Sequence, residues 1–431
     1  MMPRTLDRAL ALAFVATLAL LRWSPPLHAA SAPSSDWPAW RGPTRDGIAP
    51  AQPAPPVRWS ESENIAWKIP VPGRGHGSPT VVGDRIYLAT ADVESQTQHV
   101  LCLDRKDGHV AWNTVVHRGR LDSGGHRNTS QASATVAFDD GRLFINFLND
   151  KAVHTTCLDL DGRIVWQQKV GDFVTHQGFA ASPVLHRSVV LVTADHKGGG
   201  TVAGLDRATG RILWSHARPR IANYTSPSVL EAAGRTQMVI AGCNLVSSFD
   251  PLSGRKLWEI PGSTEECVVT AVTDGQRVFV SGGYPKNHTM AVLADGSGQI
   301  AWQNNARVYV PSMIVQDGFI YAVLDAGMAV CWKSDTGEER WKERLGGDFY
   351  ASPVRVGNRM FAVNQAGVAS VFEATPDHFR LLSQNKLGDE AFASPTICGG
   401  RIYLRVAHQG DARREYLYCI ASPSASTSTT P

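Results

Sequence analysis

Polar and aromatic side chains stand just before a short Ser-Pro-like step that recurs along this sequence, and their chemistry changes at each recurrence. Carboxylates, imidazoles, amides, phenols and one guanidinium are all represented. In chain order the candidate ligand-binding residues are Arg74, His76, Asn128, His176, Gln177, Asn223, Tyr224, Glu265, Glu266, Tyr309, Asp348, Tyr350 and Glu390, the last with Phe392 beside it. Such a mixed set suits the recognition of a polar ligand. The alternative is that these positions lie in hydrated loops that are free to vary.

The same residues offer two kinds of metal ligand. His76 and His176 with a carboxylate could suit zinc or another transition metal. Calcium needs about six to eight oxygen ligands, and carboxylates are available at Glu265, Glu266, Asp348 and Glu390. Nothing in the spacing selects either metal. We therefore predict hydrogen-bonded rim residues, with no assigned metal site and no assigned catalytic residue.

Common catalytic motifs are missing from the sequence. It contains no G-x-S-x-G elbow, no H-E-x-x-H, no P-loop and no C-x-x-C. The charge balance is 42 basic against 39 acidic side chains, a net charge of +3, and no nucleic-acid-binding module is recognisable, so no nucleic-acid partner is predicted. The composition, 43% hydrophobic and 19% charged, also excludes a wholly disordered chain.

Internal repeats dominate the rest of the sequence. Tryptophans recur 39 to 54 residues apart, and an Asp-to-Gly turn precedes most of them. The repeated tryptophans are Trp67, Trp112, Trp166, Trp214, Trp258, Trp302 and Trp341. The Ser-Pro-like steps begin at Ser78, Ser133, Ser182, Ser226, Thr270, Ser312, Ser352 and Ser394. Eight such steps indicate eight repeated units.

Each unit has the pattern of four short β-strands. Val, Ile, Tyr and Phe alternate with smaller residues, while Gly, Asp and Asn mark the turns. We predict an all-β, eight-bladed propeller of four-stranded antiparallel blades. The last unit lacks a tryptophan-bearing fourth strand, which residues 64–71 could supply by pairing with residues 414–422 and so closing the ring. An open solenoid would instead need capping repeats. The tryptophans are structural in this interpretation, and Trp214→Ala should destabilise the fold by about 3–5 kcal/mol.

Antiparallel blades also predict where the candidate residues meet. In such a blade the link to the next blade and the loop between the second and third strands emerge on one face. The first strand of each blade is innermost, so residues just before the Ser-Pro-like step should surround the axial opening. This ring is the predicted ligand-binding face.

The chain ends have their own composition. Residues 1–32 have a basic start, a 13-residue apolar run from Ala9 to Leu21, and an A-x-A-like site at Ala30-Ser31-Ala32. We predict a cleaved signal peptide and a periplasmic or secreted protein, since the run is too short to span a bilayer. A lead-in of residues 33–63, a propeller of 64–422 and a disordered Ser/Thr-rich tail of 423–431 complete the predicted organisation. The mature chain should be a monomer without a transmembrane span.

Seven cysteines are present, and four occur in similar apolar contexts: Cys102, Cys157, Cys331 and Cys419. We interpret these four as small buried residues on equivalent strands. A Cys243–Cys267 or a Cys398–Cys419 disulfide is possible in an oxidising compartment.

The units LDRKDGHVAW (103–112), LDRATGRILW (205–214) and FDPLSGRKLW (249–258) resemble the pyrroloquinoline quinone (PQQ) type of propeller repeat. That resemblance implies eight blades in which a tryptophan near the end of each blade docks the next. The opening DWPAWRGPTRDG (36–47) resembles the lead-in of exported relatives, and we expect it to lie as a strap over one face.

The resemblance implies two kinds of function. Some members are quinoprotein dehydrogenases, which hold PQQ and calcium at the centre of the ring, and others are scaffolds such as BamB of the outer-membrane barrel-assembly machinery. The adjacent cysteines of the alcohol dehydrogenases and the lipobox cysteine of BamB are both missing here. We predict a binding or scaffold protein with a protein, peptide or glycan partner on the axial face. The alternative is a PQQ- and calcium-dependent oxidoreductase, in which the quinone supplies the redox chemistry. A glycan or peptide could stack on Tyr224, Tyr309 and Tyr350.

Overall fold

The computed structural model describes residues 36–122 and 124–423, so the predicted signal peptide and nearly all of the predicted tail lie outside the described residues. The described chain forms eight sheets, each built on four antiparallel strands, and contains no α-helix; seven of these four-strand sets are consecutive in the chain. Inner strands of adjacent sheets contact one another around a central axis. The prediction of an eight-bladed propeller is confirmed.

The first four blades follow one another along the chain, and the first strand of each blade is innermost. Their strands are β3 Thr80–Val82, β4 Arg85–Asp92, β5 Thr97–Asp104, β6 Val110–Arg118, β7 Ala137–Asp139, β8 Arg142–Asn149, β9 Ala152–Leu158, β10 Ile164–Asp172, β11 Val184–His186, β12 Val189–Ala194, β13 Thr201–Asp206, β14 Ile212–Ala217, β15 Ser228–Ala232, β16 Arg235–Gly242, β17 Leu245–Phe249 and β18 Lys256–Pro261.

The last four blades include strands from the beginning of the described chain. Their own strands are β19 Val272–Thr273, β20 Arg277–Gly282, β21 His288–Leu293, β22 Ile300–Asn304, β23 Ile314–Gln316, β24 Phe319–Val323, β25 Met328–Lys333, β26 Glu339–Arg344, β27 Val354–Val356, β28 Arg359–Val363, β29 Val368–Ala374, β30 Phe379–Lys386, β31 Thr396–Cys398, β32 Arg401–His408 and β33 Arg414–Ile420. Strand β2, Ile65–Val71, pairs antiparallel with β33 and supplies the fourth strand of blade eight, so the ring closes as predicted. Strand β1, Ile48–Ala49, adds to β27 in parallel.

Strand burial follows from the packing of blade against blade. All six residues of β12, VVLVTA, are buried, because both faces of a blade's middle strands contact neighbouring blades. The outermost strand β14 instead alternates between exposed and half-buried residues. The apolar runs noted in the sequence are therefore middle strands, and the alternating runs are outer strands.

The Ser-Pro-like steps link adjacent blades through their hydroxyl groups. At six of these junctions the backbone N–H of one step donates to the hydroxyl of the next blade's step, at 2.7 to 3.1 Å. The donor–acceptor pairs are Ser78–Thr135, Thr135–Ser182, Ser182–Ser226, Thr270–Ser312, Ser312–Ser352 and Ser352–Ser394. In blade two the place is taken by Thr135 and not by Ser133, which the sequence alignment had put there. These bonds align the starts of the inner strands around the axis.

Most of the recurrent tryptophans dock their blade onto the next, as the resemblance implies. Five indole N–H groups donate to a carbonyl in a turn of the following blade: Trp67 to Arg105, Trp112 to Leu160, Trp166 to Arg207, Trp302 to Ser334 and Trp341 to Thr375. Between blades five and six, the indole ring of Trp302 lies over Gly337, the glycine of that turn. A Cβ atom at Gly337 would come within 2.6 Å of the indole. The Asp-to-Gly turn and the tryptophan are thus two halves of one contact.

Gly337→Ala should destabilise the protein more than Gly318→Ala. Both glycines have a positive φ, 72° and 81°, so alanine is strained at either position by about 1–2 kcal/mol. Only at Gly337 would the new methyl group also overlap an indole, whereas a Cβ at Gly318 meets no atom within 4 Å. We expect an additional loss of about 1–3 kcal/mol for Gly337→Ala. Equal losses of unfolding free energy in the two variants, measured by denaturant titration, would contradict this docking contact.

The cysteines are seven free, buried thiols, and neither of the possible disulfides is formed. Four of them lie directly opposite a blade tryptophan across the last two strands: Cys102, Cys157, Cys331 and Cys419. Gly204, Ser248 and Ala291 occupy the same place in three other blades. The position requires a small residue because the indole folds against it, which confirms the interpretation of these cysteines as small buried residues.

The lead-in lies across one end of the axial channel. Trp37 pairs through its backbone with Val81 of β3, and the Pro38 carbonyl accepts from Phe138 of β7. The buried Arg41 guanidinium donates to the Met313 carbonyl, 2.5 Å away, beside β23. Further on, Arg45 donates to the Leu185 carbonyl of β11. The predicted strap therefore contacts inner strands on several sides of the ring and closes the channel.

Candidate functional site

A cavity of about 320 Å³ opens on the axial face, at the place where the candidate residues were expected to meet. Every one of the eight links that precede an inner strand contributes to its wall, and Trp40 of the lead-in contributes as well. Six predicted residues line it: His76, Asn128, Gln177, Tyr224, Tyr309 and Tyr350. The walls also include Phe392, which stands beside Glu390 in the sequence. The fold thus brings about half of the candidate residues into one cavity.

The other seven predicted residues do not line the cavity. Glu266 is buried behind Tyr309 and His176, while Glu390 lies 2.6 Å from the Arg413 guanidinium. Asp348 is exposed, and Glu265 is half-buried. The full set outside the cavity wall is Arg74, His176, Asn223, Glu265, Glu266, Asp348 and Glu390. Adjacent residues in an extended link point to opposite sides, so both members of a pair cannot face the axis.

Asn223 has a structural role. Its amide donates to the Asp195 carboxylate at 3.0 Å, and its carbonyl oxygen accepts from the backbone N–H of Cys267. Asp195 in turn forms a buried ion pair with Arg218, at 3.1 Å, in which both side chains are at most 3% exposed. Asn223 therefore links blade four to blade three and to the segment that enters blade five, and the neighbouring Tyr224 lines the cavity instead.

Tyr309 is held at both ends. Its backbone N–H donates to the Asp325 carboxylate at 2.7 Å, and its hydroxyl donates to Glu266 at 3.1 Å. Burial raises the pKa of Asp325 to about 6, and burial together with Glu266 raises the pKa of Tyr309. The phenol of Tyr224 is likewise kept protonated, because burial and the Glu266 charge raise its pKa. Both tyrosines therefore present neutral O–H groups.

His76 is a neutral imidazole in the wall of the cavity. Its ring lies against Phe392, with 4.5 Å between the ring centroids, and its Nε2 atom is buried without a hydrogen-bond partner among the described residues. Burial, reinforced by the charges of Arg74, Arg405 and Arg413, lowers its pKa well below the usual 6.5. His76 can accept or donate one hydrogen bond to a ligand and carries no charge near neutral pH.

This lowered pKa predicts that His76 makes the fold less stable in acid. As the pH falls below about 6.5, the unfolded chain binds a proton at this residue and the folded chain does not, so stability is lost. The loss from one such group is at most about 1.4 kcal/mol per pH unit. The stability advantage of the wild type over His76→Gln should therefore shrink between pH 7 and pH 5, as measured by denaturant unfolding. Parallel pH profiles for the two proteins would show that His76 titrates normally.

Several residues of the cavity wall were missed by sequence reasoning. They are Trp40, His126, Thr129 and Phe179, with Asp325 behind the wall. His126 and Thr129 belong to the link 119–136 between β6 and β7, which is long enough to fold over the cavity and accounts for the 54-residue tryptophan spacing. This long spacing is the feature of the sequence that could have indicated an extended link over the cavity. Trp40 forms a hydrogen bond from its indole N–H to Thr270 at 2.8 Å and lies in a segment with no repeat pattern.

Comparison with known proteins places the fold in a family. A family model described as "Outer membrane protein assembly factor BamB" matches residues 57–132, 120–343 and 286–376, which together span most of the propeller. The chain belongs to this family. It is a PQQ-like propeller of the BamB and quinoprotein superfamily, as the repeats predicted.

Individual relatives of this BamB-like chain fall into two groups. An outer membrane protein assembly factor BamB of Bordetella pertussis is 24% identical over 357 residues, covering 78% of this chain and 82% of the relative. A polyvinylalcohol dehydrogenase of a Sphingopyxis species is 22% identical over 330 residues, covering 73% of this chain and 44% of the relative. At this level of identity neither relative defines the activity of the chain.

Solved structures show the same division. BamB from Moraxella catarrhalis superposes with a TM-score of 0.56 at 15% identity, covering 81% of this chain and 95% of that one. A europium-containing methanol dehydrogenase gives 0.66 at 12% identity and covers 91% and 98%. These likenesses establish the shared fold alone.

The donor set does not fit the calcium and PQQ site of the dehydrogenase members. Among the described residues that line the cavity there is no Asp, Glu, Lys or Arg. The four candidate carboxylates are dispersed, and the one cluster of three potential metal-ligating groups in residues 36–122 and 124–423 is Asp104, Asp107 and His109 on a surface turn. Calcium needs carboxylate oxygens, and PQQ carries three carboxylate groups that need cationic partners. The wall offers neither.

Proposed function

We propose that this protein is an exported binding or scaffold propeller whose ligand or partner docks on the axial face. The observation that carries this proposal is the cavity wall itself. The eight blades repeat one another at their tryptophans and hydroxyl links but differ at this wall, where aromatic and neutral polar side chains converge. Concave, largely apolar pockets with a few convergent polar groups are the usual form of a ligand site.

The comparisons support a binding role and a location in the cell envelope. The relatives of Bordetella pertussis and Yersinia pestis are named outer membrane protein assembly factors. We propose the organisation predicted from the sequence, with a signal peptide in residues 1–32, a lead-in, a propeller over 64–422 and a short tail. In the described part of the chain no helix is long and apolar enough to cross a membrane.

Photo-cross-linking from the two faces tests the docking face. A benzophenone amino acid at Tyr350 places the probe in the cavity wall, and one at Leu252 places it in a turn on the opposite face, where the side chain is 37% exposed. Benzophenone inserts into C–H bonds of proteins and glycans alike. In cells of the native host we expect adducts from position 350 and none from position 252. Adducts from position 252 alone would overturn the proposal.

A titration with PQQ tests the alternative that this protein is an oxidoreductase. Purified residues 33–431 would be titrated with PQQ with and without calcium, following cofactor absorbance and protein melting temperature together. The dispersed carboxylates lead us to expect no calcium-dependent, saturable binding. Saturable binding with a raised melting temperature would favour the oxidoreductase and would be followed by dye-linked substrate screening.

A further inference from the structure

Aromatic side chains form much of the wall of the axial cavity. Tyr350 and Phe392 lie with their ring centroids 5.7 Å apart, and the His76 ring lies 4.5 Å from that of Phe392. The aromatic residues of the wall, apart from the histidines, are Trp40, Phe179, Tyr224, Tyr309, Tyr350 and Phe392. A ligand in this cavity must therefore present apolar surface to aromatic faces on more than one side.

The same wall holds neutral polar groups that lack protein partners. Tyr224 is only 8% exposed, and its hydroxyl has no well-aligned hydrogen bond. The Nε2 atom of His76 is likewise buried without a hydrogen bond. The side-chain amides of Asn128 and Gln177 and the hydroxyl of Tyr350 also bond to no other described residue. Buried polar groups are normally satisfied, so the buried His76 and Tyr224 atoms point to a ligand or water that bonds to them. The half-buried Asn128, Gln177 and Tyr350 groups are free to bond to the same ligand.

Charged groups lie close to the cavity but do not line it. The Glu266 carboxylate accepts from Tyr309 and lies 3.4 Å from His176 Nε2. The Arg74 guanidinium lies 5.9 Å from the Phe392 ring centroid and donates to the Arg127 carbonyl. A charged ligand would have to leave water without gaining a counter-ion in the wall, which is costly.

We propose that the axial cavity binds one uncharged sugar ring of a saccharide. A pyranose carries apolar C–H faces that stack on aromatic rings and equatorial hydroxyls that both donate and accept hydrogen bonds. It therefore matches the aromatic faces and the unpaired amide, phenol and imidazole groups at once. The volume of about 320 Å³ lies at the small end of ligand pockets and suits one or two rings. This inference rests on the proposed function of the axial face.

Isothermal titration calorimetry with defined trisaccharides tests the proposal. Maltotriose, cellotriose, laminaritriose and xylotriose are the neutral probes, and trigalacturonate is the charged probe of similar size. We expect at least one neutral trisaccharide to bind saturably and trigalacturonate to bind at least tenfold more weakly. If none of the neutral probes binds at millimolar concentration, or if trigalacturonate binds most tightly, the proposal is wrong.

Matched variants locate the binding. Gln177→Ala removes one unpaired amide from the wall, and Gln168→Ala removes an amide on the outer strand β10, whose side chain bonds only to the neighbouring Lys169 carbonyl. We expect Gln177→Ala to weaken binding of the best neutral trisaccharide about three- to tenfold and Gln168→Ala to leave it unchanged. Tyr350→Ala, which removes a stacking face, should weaken binding further than Tyr350→Phe. Equal affinities in Gln177→Ala and the wild type, or in Tyr350→Ala and Tyr350→Phe, would overturn the assignment to this cavity.

The cross-linking experiment distinguishes failure of this inference from failure of the proposed function. A protein adduct from position 350 combined with no saccharide binding would leave the axial face as a docking surface and reject the sugar. The absence of both would reject both proposals.

Discussion

Replacement of Glu415 by alanine is expected to destabilise the propeller by about 3–5 kcal/mol, because it leaves the buried Arg405 guanidinium without its counter-ion. Both side chains are 2% exposed, and Arg405 Nε donates to Glu415 Oε2. The pair lies in blade eight, on β32 and β33, the middle strands beside the fourth strand that closes the ring. The loss should be measured as the change in unfolding free energy or, if unfolding is irreversible, as the fall in melting temperature.

The effect should be large because this pair joins more than its own two strands. Arg405 also donates to the Ala89 carbonyl and the Thr90 hydroxyl of blade one, at 2.7 and 3.1 Å. Glu415 accepts from the backbone N–H of Gly75, in the link that leads to blade one. Alanine at position 415 therefore removes contacts between the first and last blades, beside the β2–β33 pairing that closes the ring without a covalent connection.

Two controls separate the buried charge from the general cost of a substitution. Glu338→Ala breaks a solvent-exposed pair with Lys333 and should leave the unfolding free energy nearly unchanged. The double variant Arg405→Met with Glu415→Leu replaces both charges by apolar groups and should recover most of the loss seen in Glu415→Ala. A double variant as unstable as Glu415→Ala would indicate that packing, and not the unpaired charge, determines the effect.

The fold was predictable because its determinants repeat along the sequence. A tryptophan needs the glycine of the next blade's turn, as at Trp302 and Gly337, so most blades carry both residue types, and the glycine stands at a constant distance before the tryptophan of its own blade. Ring closure was also predictable, since the last unit lacked a fourth strand and residues 64–71 had the pattern of one. The misplaced step at Ser133 shows the limit, because Ser133 and Thr135 are equally suited to the role until the neighbouring hydroxyl Ser182 is located.

The sequence predicted which links between blades form the site, but it did not predict which residue of each link faces the cavity. Their positions in the sequence predicted that Asn223 and Tyr224 both lie on the axial face. In the structure Asn223 instead donates a hydrogen bond to Asp195, which forms a buried ion pair with Arg218, and only Tyr224 lines the cavity. Glu265 and Glu266 divide in the same way, one half-buried and one buried behind Tyr309. These contacts join different blades and do not repeat along the chain, so the repeat pattern of the sequence does not predict them.

Trp40 illustrates a different limit. It belongs to the lead-in, which has no repeat to align, and it reaches the cavity through a hydrogen bond to Thr270, 230 positions away in the chain. Without this segment the inner ends of the blades would surround an open channel at this point. The lead-in is therefore part of the candidate site and not only a covering of one face.

Trp302→Ala should cost about 3–5 kcal/mol, and Trp214→Ala should cost clearly less, although both are repeat tryptophans. Trp302 is 9% exposed and its indole N–H donates to the Ser334 carbonyl at 2.8 Å. Trp214 is half-buried, and its indole N–H has no hydrogen-bond partner among the described residues. For Trp214→Ala we therefore expect a loss below the ~3–5 kcal/mol that the repeat alone predicts.

The ranking of these two variants tests whether burial and the interblade hydrogen bond, rather than membership of the repeat, determine the contribution of a tryptophan. Each truncation loses apolar contact in proportion to the area that was removed from water, and only Trp302→Ala also leaves a turn carbonyl without its donor. Denaturant unfolding of both variants under one buffer condition gives the comparison directly. Equal destabilisation would mean that the docking of blade three onto blade four is as tight as that of blade five onto blade six, and that the exposed edge of Trp214 is covered in solution.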